Sequence, residues 1–197
     1  MKWQQAWEIG SEVVEALSPA CDRIMIAGSV RRCKPEPKDV EVVYIPRMSR
    51  ERMDLFSYED VPATEAMIQE LVNRSFWNFD GRIRRNGPKY KRMVQSPLAN
   101  GDPVVIELFR AQVDNWGYVL ALRTGPGDFN KIWAAHSWDG GCLPVNMTLK
   151  DGHVWRAGKP ISTPNEELFF AEIGLPCWLP EERSAIRLAK FLVESAR

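Results

Sequence analysis

The residues with the clearest chemical potential are three carboxylates and one short turn. Asp39 and Glu41 stand at i and i+2 of Asp39-Val40-Glu41-Val42-Val43. In a strand, that spacing puts both acids on one face of the pleat. Paired carboxylates offer hard oxygen ligands to Mg²⁺. Upstream, Ala27-Gly28-Ser29-Val30-Arg31-Arg32 forms a tight, basic stretch. Its backbone N–H groups and the Ser29 hydroxyl suit a phosphate. Glu107 is the single acid inside Val104-Val105-Ile106-Glu107-Leu108-Phe109. A charge there is costly unless it is paired or metal-bound. If the two strands are neighbours, the three carboxylates converge. They can then hold two Mg²⁺ ions about 4 Å apart, which clamps the attacking and leaving oxygens of phosphoryl transfer. Singly, each motif is ordinary: alternating acids also mark the solvated face of an edge strand. The combination points to phosphoryl chemistry.

These residues need a sheet to hold them, and the pattern around them supplies one. Trp3, Ala6, Trp7, Val13, Val14 and Leu17 recur at helical spacing until Ser18-Pro19 breaks the period. Ile24 to Ala27 is a buried strand, and Val40 to Ile45 a second one closed by Pro46. Residues 47–63 are polar and proline-punctuated and read as a loop. Thr64 is the expected N-cap of a helix reaching Asn73. Phe76–Arg84 and Tyr90–Val94 read as a hairpin around Asn86-Gly87-Pro88, and Val104–Phe109 as a further strand. Beyond about residue 112 the period changes. Trp116–Leu122 reads as helix, and Asp128 caps another over Phe129–Ala135. Leu143–Leu149 and His153–Arg156 form a hairpin around Asp151-Gly152. Asn165 caps a short helix ended by Gly174, and Pro180 opens the last helix. The expected fold class is α+β, with a sheet-based domain over 1–112 and a smaller domain over 113–197.

The chain has 197 residues, with 26 Lys+Arg against 26 Asp+Glu, so its formal net charge is zero. That excludes a protein that coats nucleic acid through bulk charge, while leaving room for a local basic face. Such a face is present in Arg82, Arg84, Arg85, Lys89, Lys91 and Arg92, a run without an acid. On a hairpin it would form a ridge against DNA phosphates. Lys131 extends it downstream. The four cysteines and two histidines lack metal-ligand spacing. No apolar run approaches a membrane span, and the N-terminus has no signal-peptide core. These features lead us to expect a cytoplasmic, monomeric protein without a membrane partner. Trp3, Trp7, Trp77, Trp133 and Trp178 sit at apolar-periodic positions and are expected in the core.

Gly28-Ser29-Val30-Arg31-Arg32, then Asp39-Val40-Glu41-Val42, then Ile106-Glu107-Leu108 resemble the palm of the DNA polymerase beta superfamily of nucleotidyltransferases. Thr124-Gly125-Pro126-Gly127-Asp128-Phe129-Asn130-Lys131, Asn165-Glu166-Glu167-Leu168-Phe169 and Leu179-Pro180-Glu181-Glu182-Arg183 resemble the thumb of family X DNA polymerases. The order and spacing match over nearly the whole chain. The resemblance implies a nucleotidyltransferase palm, a mixed sheet with helices, followed by a small α/β thumb. It implies that Asp39, Glu41 and Glu107 are catalytic and hold two Mg²⁺ ions, with Mn²⁺ as an alternative. Glu107 would help take the primer 3′-hydroxyl proton. Ser29 and Arg32, on the Gly28 turn, would hold the triphosphate, and Gly125 and Asn130 would line the sugar and base side of the pocket. The implied activity is template-directed addition of dNTPs to a primer on gapped or primer-template DNA, as in repair or replication, without a lyase domain. The alternatives are nucleotidyl transfer to RNA, a small molecule or a protein, and a non-catalytic nucleic-acid-binding module. Two departures stand out. The second and third carboxylates are Glu where the family has Asp, and Leu122-Arg123 replaces the family's aromatic pair.

Overall fold

The first helix shows how this sequence makes its sheet domain. Over Trp3–Leu17 it turns Ala6, Ile9, Gly10, Val13 and Leu17 to one buried face. A Cβ at Gly10 would lie 2.9 Å from Ile26 Cδ1 and 3.3 Å from Val40 Cγ1, so this glycine lets helix and sheet approach closely. A computed structural model describes residues 1–52, 54, 56–74, 77–79, 86–95 and 103–195.

In chain order the elements are α1 (Trp3–Leu17), β1 (Cys21–Ile26), α2 (Gly28–Arg31), β2 (Val40–Pro46), β3 (Met48–Arg52), β4 (Tyr58–Pro62), α3 (Ala63–Asn73), β5 (Trp77–Phe79), β6 (Tyr90–Gln95), β7 (Val104–Arg110), α4 (Trp116–Thr124), α5 (Gly127–Ala134), β8 (Met147–Lys150), β9 (His153–Arg156), β10 (Lys159–Ile161), α6 (Glu166–Glu172) and α7 (Ala185–Ser195). The protein is a mixed α+β chain. It forms two compact units: Met1–Ile26 with Pro35–Ala111, and Ala27–Lys34 with Gln112–Arg197.

The first unit is built on a five-stranded sheet in the order β1-β2-β7-β6-β5. β2 and β7 run parallel, while β1 with β2, β6 with β7 and β5 with β6 run antiparallel. Val40, Val42, Ile106, Leu108 and Met93 are fully buried. They alternate with Glu41 and Glu107, which are only partly buried. Alternation of this kind gives the sheet one face toward the core and one available to chemistry.

The second unit gathers its core from aromatic side chains. Tyr118 of α4 packs on Phe169 of α6 at 5.5 Å between ring centres, and Trp133 of α5 meets the same ring at 5.2 Å. Phe129, Trp133, Phe169 and Phe170 are fully buried. A Cβ at Gly117 would stand 1.9 Å from the Asn165 carbonyl oxygen, so the approach of α4 to the start of α6 requires glycine. β8, β9 and β10 form a separate antiparallel sheet.

Several sequence expectations need correction. Residues 47–63 hold the β3–β4 hairpin rather than a loop. Both strands are largely exposed, so no apolar alternation announces them. The cap of α3 is Pro62, and Thr64 lies buried within the first turn. α5 is likewise capped at Pro126, although the Asp128 carboxylate accepts from the Phe129 N–H at 2.8 Å. Pro180 opens only a short 3-10 turn, and the last helix starts at Ala185. β10 adds a third strand to the predicted hairpin. Trp7 is 44% exposed, stacked on Trp3 instead of buried. The predicted strand over 76–84 is described only at Trp77–Phe79.

Candidate active site

In the first unit, β2 and β7 bring two of the predicted carboxylates together. Their parallel register sets Glu41 directly against Glu107, with Val40 against Ile106 and Val42 against Leu108. Asp39 lies two positions before Glu41, immediately ahead of β2. Like charges facing each other across neighbouring strands destabilise a sheet. A compensating charge comes from β6, whose register sets Arg92 against Glu107 on the other side. One row across three strands therefore reads Arg92, Glu107, Glu41.

Glu107 is held closely. Its side chain is 19% exposed, and Arg92 Nε lies 3.8 Å from Oε1. The Tyr90 phenol donates a hydrogen bond to the same oxygen. Tyr90 is fixed in turn by stacking on Phe109, its register partner, with ring centres 4.9 Å apart. The sequence placed Arg92 on a DNA-facing ridge and gave Tyr90 no role. The signal for both was the period-2 alternation of Tyr90, Arg92 and Val94 in a strand returning toward Glu107. It became legible only once β6 and β7 were known to be neighbours.

The donor chemistry of Asp39, Glu41 and Glu107 fits a hard divalent cation. Among the described residues, however, no group of three or more His, Cys, Asp or Glu side chains is set to hold a metal ion.

The predicted phosphate turn belongs to the second unit. Gly28 has φ +62°, a left-handed conformation that disfavours any side chain. The Ser29 hydroxyl is buried and has no hydrogen-bond partner among the described residues. Leaving such a group unsatisfied costs about 1–3 kcal/mol, so it is a fitting donor for a ligand oxygen. The arginines that follow are anchored to α4. Arg31 donates to the Thr124 hydroxyl at 2.8 Å, and Arg32 donates to the Thr124 carbonyl.

Arg31 also belongs to a buried ion triad that sequence reasoning missed. Its Nη2 lies 2.6 Å from Glu166 Oε2, and Arg183 Nη1 lies 2.6 Å from Glu166 Oε1. Glu166 is 7% exposed and Arg183 is 1% exposed. Burial pushes the Glu166 carboxyl up, but hydrogen bonds and charge from Arg31 and Arg183 outweigh it and hold the group below the usual glutamate range. The Arg183 Nε donates to the Trp178 carbonyl at 3.1 Å. The triad ties α2, the start of α6 and the segment before α7 into one frame.

The two residues expected along the sugar and base are structural partners of each other. Asn130 Nδ2 donates to the carbonyls of Leu122 at 2.7 Å and Gly125 at 3.0 Å, and its Oδ1 accepts from Trp133 Nε1 at 2.9 Å. A Cβ at Gly125 would lie 2.1 Å from that Oδ1. The pair fixes the turn between α4 and α5.

Of the expected basic ridge, Arg82, Arg84 and Arg85 lie outside the described residues. Lys89 and Lys131 are exposed. Lys91 is placed inside: it is 3% exposed, 2.9 Å from Glu65 Oε2, and donates to Asn86 Oδ1.

No family model matches the sequence, and no curated protein matches it. Among the described residues, no helix is long and apolar enough to cross a membrane.

Proposed function

We propose that this protein is a template-directed DNA polymerase of family X type, adding dNTPs to a primer 3′-hydroxyl. The observation that carries the reading is the direct register of Glu41 against Glu107, with Asp39 two positions along. Two acids face to face on parallel neighbouring strands set carboxylates side by side, the hard oxygen donors that a divalent cation takes. The sheet around them is the mixed kind expected of a nucleotidyltransferase palm.

In this reading, Asp39 and Glu41 hold the metals that accompany the triphosphate, and Glu107 orients the one at the primer terminus. Magnesium bound there would neutralise charge on the transferring phosphoryl group and ease ionisation of the 3′-hydroxyl. Ser29 offers its hydroxyl to a phosphate oxygen. Gly28 gives that turn its conformation, while Arg31 and Arg32 fix it to α4. Lys89 and Lys131 supply charge for DNA phosphates.

The test is primer extension on gapped and ungapped DNA with Mg²⁺ or Mn²⁺, offering each dNTP and rNTP singly. Template-matched extension is expected. Transfer of nucleotide to some other acceptor, with no extension on any DNA, would overturn the reading.

A further inference from the structure

We infer that Tyr90 is a latch on Glu107, keeping this carboxylate turned away from the metal-binding position until a divalent cation competes for it. The inference rests on the reading of Asp39, Glu41 and Glu107 as metal ligands.

One donor holds a Glu107 oxygen, and a cation stands near the same atom. The Tyr90 phenol donates to Glu107 Oε1, and Arg92 Nε stands 3.8 Å from the same atom. The latch is built into the strand pairing. Register sets Arg92 opposite Glu107 and Tyr90 opposite Phe109, and ring stacking on Phe109 at 4.9 Å holds the phenol in place. Among the described residues, no three His, Cys, Asp or Glu side chains are set to hold a metal ion, Asp39, Glu41 and Glu107 included. The extra methylene of Glu, compared with Asp, gives the side chain two destinations: sideways along β6, or across toward Glu41 in β2. A hydrogen bond to an ionised carboxylate is among the stronger ones. Ligation by a divalent cation must therefore displace it or share its oxygen, and the phenol is a cost on metal affinity.

The experiment is a Mn²⁺ titration of the full chain followed by electron paramagnetic resonance, which reads binding without turnover. Tyr90→Phe keeps the ring stack and removes the donor. It is expected to tighten Mn²⁺ binding about tenfold, and the gain is expected to vanish in the Tyr90→Phe/Glu107→Gln double variant. Unchanged or weaker binding by Tyr90→Phe overturns the latch; weaker binding would mean that the phenol aims the carboxylate at the metal instead. Should circular dichroism show that Tyr90→Phe does not fold, Glu107→Asp decides. Its shorter side chain withdraws from the phenol, so tighter binding is expected, and equal or weaker binding counts against the latch. Asp39→Asn and Glu107→Gln separate the two levels. If both leave Mn²⁺ affinity unchanged, the carboxylates are no metal site and the polymerase reading falls with the latch. If both weaken it while Tyr90→Phe gains nothing, the latch alone fails.

Discussion

At the residue scale, the carboxylates differ in where they sit on their strands, and the proposed metal role sets the expected effect of removing one. Glu107 lies within β7 and is engaged by Tyr90 and Arg92, and Asp39 lies just ahead of β2. On the proposed reading, Asp39→Ala deletes a metal ligand at a position outside the paired residues of β2. The expected loss of nucleotidyl transfer is about 3 kcal/mol or more, roughly 10²-fold in rate. Single-turnover extension checks it, and full activity in Asp39→Ala would remove the metal assignment. The pairing of acid with acid was partly legible beforehand. The i, i+2 spacing of Asp39 and Glu41 fixes a common face, and the lone acid in an apolar strand marks Glu107. What no spacing reveals is register. A slip of one residue between β2 and β7 would turn Glu107 to the opposite face from Glu41. The same limit hid Tyr90, whose role depends on β6 pairing with β7.

At the scale of elements, the frame around the Gly28 turn depends on ionised Glu166. Arg31 and Glu166 are 135 positions apart, and each sits in a sequence motif that has a local explanation, a basic turn and a capped helix start. Nothing local links them, which is why this joint was invisible while α1, β2 and β7 were legible from continuous apolar pattern. Glu166→Gln leaves Arg183 buried without its counter-charge, so unfolding of the second unit is expected about 3–5 kcal/mol easier. Trp178, whose carbonyl is bonded by Arg183, supplies a fluorescence signal for denaturant titration. The pH dependence has a definite sign. Because the folded carboxyl titrates below the unfolded value of about 4.3, its contribution is complete above that pH. It is lost as the pH falls through the folded value. Wild type and Glu166→Gln should therefore differ most near neutrality and converge in acid. An equal gap at both ends would mean that the glutamine disrupts packing rather than charge.

At the scale of the whole molecule, the proposed polymerase, with zero formal net charge, would have to hold DNA through a local surface. Composition leads to that conclusion, but burial decides which cations can take part. Lys91 has the sequence neighbourhood of a phosphate contact and the environment of a core residue, 3% exposed and bonded to Glu65 and Asn86. Strand alternation explains it: Lys91 pairs with Leu108 on the buried face, while Tyr90 and Arg92 point the other way. Lys89 and Lys131 remain exposed. The lysines should then separate in two measurements. Lys89→Ala and Lys131→Ala are each expected to weaken binding to all DNA sequences alike and to reduce the salt slope by about one, with no change in stability. Lys91→Met is expected to leave the salt slope untouched while unfolding becomes about 1–2 kcal/mol easier through the lost hydrogen bonds. Fluorescence anisotropy on gapped DNA across a salt series, beside denaturant melts of the same variants, reads both. A salt slope that falls for Lys91→Met but holds for Lys89→Ala and Lys131→Ala would overturn the assignment of Lys89 and Lys131 as phosphate contacts.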